Sequence, residues 1–123
     1  AGVANLKLVD SLGLVANAGS TGALLNAALK DALGEHPNVG EVRGAGMLAA
    51  VEFVEDRETR KPLDPARKIG PALAAKLLEQ DKVIARAMPQ GDILGFAPPF
   101  CLTREEADEI VAQTAEAVGS VLG

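Results

Sequence analysis

Arg86 follows an apolar run, Val83-Ile84-Ala85, and precedes Met88-Pro89-Gln90-Gly91-Asp92 and a second apolar run, Ile93-Leu94-Gly95-Phe96. Pro89, Gln90 and Gly91 supply turn chemistry. Both runs therefore read as strands, with Arg86 near the end of one and close to the next. A guanidinium placed there either anchors a structural network or holds an anion. Its planar fork suits a carboxylate, which it grips through two parallel charge-assisted hydrogen bonds. Asp92 and Glu79 are the carboxylates that could instead occupy it permanently.

Other residues with possible chemistry are fewer. Residues 43–50, RGAGMLAA, contain G-x-G-x-x-A at Gly44, Gly46 and Ala49. A dinucleotide-binding turn would need a helix next, with its N-terminus aimed at pyrophosphate. The Val- and Phe-rich AAVEFVE that follows reads as a strand, so the glycines read as a bend between strands. Arg43 then anchors that bend and is not a phosphate ligand. Cys101 sits between Phe100 and Leu102 without a local base, which suits a small buried hydrophobe better than a nucleophile. His36 falls in a helix-ending turn and lacks the companions of a catalytic set. With one histidine and one cysteine, no metal site is expected. No P-loop, zinc motif or G-x-S-x-G elbow is present. The residues alone thus point to no catalytic set.

Composition narrows the partners. A net charge of −5 and three aromatic residues, all Phe, argue against a nucleic-acid surface. A hydrophobic share of 48% across 123 residues supports a folded core. No apolar run reaches the ~20 residues of a membrane span. The single cysteine suits a reducing compartment, and the expected location is cytoplasmic. The chain begins at Ala1 and runs at once into apolar periodicity, which reads as a start inside an element.

The elements that must position Arg86 follow from periodicity. A short helix is expected over Ala1–Leu12, with Val3, Leu6 and Val9 on one side and Gly13 at its C-cap. A longer helix over Val15–Leu33 carries Leu24, Leu25, Ala28, Leu29, Ala32 and Leu33; Gly19 and Gly22 suggest close approach of another element. Strands are predicted at Val39–Arg43 and Met47–Glu55. The polar stretch from Glu55 to Pro65 reads as a surface loop with solvated charges. Asp64 and Pro65 read as N-cap and first residue of a helix that turns Ile69, Leu73, Leu77 and Leu78 inward. Thr103 and Glu106 form a capping box for a terminal helix with Ala107, Ile110, Val111, Thr114, Val118 and Val121 on one face. The fold class is α+β: a small three- to four-stranded, mainly antiparallel sheet with helices packed mainly on one face.

The stretches VGEVRGAGMLAAVEFVEDRETRKPLDP and VIARAMPQGDILGFAPPFCLTREEADEIV resemble the C-terminal end of class III aminotransferases, pyridoxal-phosphate enzymes of fold type I. Within that class ARAMPQGDILGFAPP is most similar to the omega-amino acid:pyruvate group, the omega-transaminases. The resemblance covers nearly the whole chain. It implies that residues 1–38 are connecting helices from a large domain and that 39–123 form the small C-terminal domain. It implies pyridoxal 5'-phosphate in the full-length enzyme and none held by this chain, because the Schiff-base lysine belongs to the large domain. No lysine here matches that context, and the chain alone is expected to be inactive. It implies a homodimer, with a small-molecule amine and a keto acid such as pyruvate as substrates. It gives Arg86 the role of an arginine that swings in to bind a substrate carboxylate and out for an apolar group. A free-standing α+β module that binds a small acid through Arg86, or an interaction domain, is the alternative.

Overall fold

The computed structural model describes residues 1–80 and 83–123. Helix α1 (Gly2–Ser11) meets α2 (Leu14–Leu33) at a bend of 60°, with Gly13 between them in the left-handed region at φ 61°. Strands β1 (Val39–Ala45) and β2 (Leu48–Asp56) form a hairpin; β3 (Lys61–Pro62) adds to β2. A 3-10 turn (Pro65–Arg67) leads to α3 (Ile69–Glu79), then β4 (Arg86–Ala87), β5 (Ile93–Phe96) and α4 (Arg104–Leu122). The strand order is β1-β2-β5-β4 and every pairing is antiparallel. The expected α+β class and antiparallel sheet are therefore observed. Among the described residues no single helix is long and apolar enough to cross a membrane.

One cross-sheet row explains the layering. Val42, Val51, Leu94 and Ala87 stand in register, and the first three are buried against the helices. Side chains alternate along a strand, so the neighbouring rows face away from the helices. Behind the buried row lie Leu25, Leu29 and Leu33 of α2, Leu73 and Leu77 of α3, and Val111 and Val118 of α4. Burying such side chains contributes about 1.5–3 kcal/mol each before entropy is subtracted. Thr114 is fully buried among them, and its hydroxyl donates to the Ile110 carbonyl at 2.7 Å. The capping box is complete: the Glu106 N–H donates to Thr103 Oγ1, and the Thr103 N–H donates to Glu106 Oε2.

Several expectations need correction. Val83–Ala85 is not a strand; pairing begins at Arg86, and Ile84 is 88% exposed. Asp64 caps the 3-10 turn and not α3, accepting from the Ala66 N–H at 2.9 Å. A helix running on from Pro65 would set Pro71 against the Arg67 carbonyl. Instead Lys68 takes a left-handed φ of 49° and α3 restarts at Ile69, with Pro71 in its first turn. Leu24, Ala32 and Leu78 fall outside the buried stripes and are exposed. Cys101 is exposed as well, since the turn before α4 buries Leu102 in its place. His36 is half-buried, and its Nδ1 accepts from the Asn38 N–H. The 55–65 loop is less free than its composition suggested. It contributes β3, Lys61 pairs with Glu55 at 2.9 Å, and Asp56 accepts from the Glu58 and Thr59 N–H groups. Helix α1 buries none of its residues; Val3 and Leu6 are exposed.

Candidate functional site

The row beside the buried one reads Arg43, Ala50, Gly95, Arg86 across β1, β2, β5 and β4. Two arginines thus stand at the ends of a row whose middle holds only a methyl group and a hydrogen. The low middle leaves a recess of about 590 Å³ on the helix-free face, lined also by Leu48, Phe96 and Ala97. Its floor is apolar. Met88 leans in from the edge: its sulfur and methyl lie 3.5 Å from where a Gly95 Cβ would stand.

The two arginines differ in their surroundings. Arg43 is held by two carboxylates, Glu41 at 2.8 Å and Glu52 at 2.6 Å. The hydrogen bond to Glu52 leads in raising its pKa further, against some desolvation. Arg43 is therefore an anchor of the hairpin, as the glycine reading required. Arg86 is exposed and forms no side-chain hydrogen bond or ion pair with another described residue. Neither suggested structural partner takes it. Asp92 instead uses Oδ1 to accept from the Gly70 N–H at the start of α3, at 2.9 Å. That bond ties the turn after Arg86 to the core. A guanidinium without a partner among the described residues, on an apolar floor, is suited to a small carboxylate entering from the open side.

The hairpin that carries Arg43 is fixed from behind. Gly22 of α2 touches the tip so closely that a Cβ there would run into the Gly46 carbonyl. Asn26, one turn on, donates to the carbonyls of Gly22, Gly46 and Leu48. Gly46 closes the tip at φ 55°, and β2 follows as a strand, not a helix. The G-x-G-x-x-A pattern is a hairpin. Gly19 has no such neighbour and is exposed, so the expected close approach holds at Gly22 alone.

Sequence reasoning did not single out Glu41, Glu52 or Asn26. The signal was there for one of them: alternation places Glu41 and Arg43 on one strand face, while Glu52 joins them only through the β1–β2 register. Asn26 carried no visible signal, because its partners are carbonyls brought near only by the fold. Among the described residues no group of His, Cys, Asp or Glu could hold a metal ion.

The family profile described as aminotransferase class-III matches residues 1–118. The chain belongs to the class-III aminotransferases. It is 57% identical over 121 residues to a diaminobutyrate–2-oxoglutarate transaminase of Halomonas elongata, covering 98% of this chain and 26% of that protein. A solved transaminase from directed evolution by ancestral reconstruction superposes with a TM-score of 0.94 at 55% identity, covering 98% of this chain and 26% of that one. An (S)-enantioselective omega-transaminase from Thermomicrobium roseum gives 0.89 at 36% identity, with the same coverage. The chain spans about a quarter of the length of the relatives it matches. Membership of the class implies pyridoxal phosphate in its full-length enzymes.

Proposed function

We infer that this chain is the carboxylate-binding part of a transaminase that moves an amino group from an amine or omega-amino acid to a keto acid such as pyruvate. Residues 1–38 are read as helices leading from a large domain, and 39–123 as the small domain that meets it. The intact enzyme is read as a cytoplasmic homodimer, and this chain alone as inactive. Arg86, without a partner among the described residues and set on the apolar recess, is the observation that carries the reading. Class membership and the omega-transaminase likeness support it.

The described residues do not fit a pyridoxal-phosphate site. No lysine lines the recess. The cofactor, where the whole enzyme binds it, supplies the electron sink for amino transfer. This chain's residues bind and orient: Arg86 takes the carboxylate, while Leu48 and Ala50 exclude water around the rest of the substrate.

The test is Arg86→Ala in the full-length enzyme, with donor and acceptor half-reactions measured separately. Truncating a desolvated charge pair costs about 2–5 kcal/mol. kcat/KM for pyruvate or 2-oxoglutarate should fall at least about 30-fold, while a neutral aromatic amine should change little. Equal losses for both substrate types would overturn the reading.

A further inference from the structure

Among the described residues, Met88 alone lines both the recess and a second cavity, a cleft of about 320 Å³. The cleft lies among β2, β3, the 3-10 turn and the start of α3, with walls that include Val54, Pro62, Pro65, Pro71 and Pro89. The proline rings lock φ, so these walls hold their shape. Arg60 and Lys68 also border the cleft, but both are exposed and can turn to solvent. Its two carboxylates are engaged elsewhere, Glu52 by Arg43 and Asp92 by the Gly70 N–H. Met88 itself has a fixed backbone: its N–H donates to the Ile93 carbonyl at 2.9 Å. Its side chain is unbranched and 39% exposed, so no surrounding packing locks one rotamer. It rests on the recess side, within contact distance of a Cβ at Gly95.

We propose that Met88 is a movable partition between the recess and the cleft, and that it sets the length of apolar group a substrate can carry. The proposal rests on the reading of the recess as the place where the substrate binds. A short group leaves the thioether against Gly95. A longer one displaces it into the cleft, and the recess gains the space that the side chain vacates. The floor cannot yield in this way, since Ala50 and Gly95 carry no rotatable side chain. A thioether tolerates either position, because it is flexible, polarizable and packs against irregular walls. Met88 is thus a specificity-determining residue and takes no part in proton or amino transfer.

The test uses the full-length enzyme and straight-chain 2-keto acids from pyruvate to 2-oxohexanoate, which keep the carboxylate and lengthen the apolar group. The readout is the ratio of kcat/KM for 2-oxohexanoate to that for pyruvate. Each methylene taken out of water is worth about fourfold. Met88→Ile keeps the bulk but is stiff at χ1, and should lower the ratio at least about tenfold. Met88→Ala removes the partition and should raise it at least about fourfold. Pro71→Phe and Pro62→Phe fill the cleft without touching the recess; at least one should lower the ratio at least about tenfold while pyruvate stays within about twofold. Combined with Met88→Ile, that cleft variant should add nothing, because no movement remains to be blocked. If both cleft variants leave the ratio unchanged, or if Met88→Ile and Met88→Ala move it in the same direction, the partition is wrong. Arg86→Ala, run on the same series, separates the two claims: a loss shared by every keto acid upholds the carboxylate reading whatever Met88 does, and no loss overturns that reading first.

Discussion

Gly22→Ala should destabilise the protein, against the usual direction of glycine replacement in a helix. In an open helix interior the change is stabilising by about 1 kcal/mol, because alanine restricts the unfolded chain. At Gly22 the added methyl would meet the Gly46 carbonyl and, at 2.9 Å, the Met47 nitrogen. Both are backbone atoms at a hairpin tip held by Asn26, so neither can swing away. Overpacking of this kind costs about 1–3 kcal/mol. Subtracting the helix gain leaves a net loss of up to ~2 kcal/mol. Gly19 provides the control. It lies three residues earlier in α2, is exposed, and has nothing within 4 Å of a Cβ. Gly19→Ala should therefore stabilise by up to ~1 kcal/mol. Urea unfolding of the two variants, compared at unchanged slope, reads both signs in one host helix. Shifts of the midpoint in the same direction would refute the claim that contact with the hairpin tip decides the sign.

Two further outcomes concern stability. Thr103→Ala removes half of the capping box and should cost about 1 kcal/mol in urea unfolding; Thr103→Ser should recover most of it. Asp56 is held below the ordinary aspartate pKa, chiefly by the N–H groups of Thr59 and Glu58. A depressed folded pKa gives stability that is full above the unfolded value, near pH 4, and lost as pH falls through the lower folded value. Asp56→Asn should therefore lower the thermal midpoint at pH 7 and converge with the parent in strong acid; a gap that stays constant with pH would contradict this.

The helices were legible because their apolar spacing is long and repeated: α2 and α4 lie where periodicity put them, and α3 does from Ile69 onward. The hairpin was legible because AAVEFVE cannot serve as the helix that a nucleotide turn demands. What escaped was set by partners distant in sequence. Val83–Ala85 look like a strand on their own, yet pairing with β5 begins only at Arg86. Pro71 moves the start of α3 past the Asp64-Pro65 signal. At the site, Arg86 was visible from its neighbours, but not that Asp92 is taken by Gly70 and leaves it without a partner among the described residues. The alignment of Arg86 with Arg43 needs the β1-β2-β5-β4 order, which local pattern does not specify.

Arg86 sits on the shortest possible edge strand, two residues with a neighbour on one side only. The turn from Met88 to Asp92 that follows it is joined to the core chiefly through Asp92. Lengthening or shortening a surface turn by a residue changes closure entropy by only a few tenths of a kcal/mol. The position of the guanidinium can thus be shifted by insertions in this turn while β1, β2 and the helices keep their register. On the proposed carboxylate-binding role of Arg86, residues 88–91 are the place to diversify loop length when new acceptors are sought.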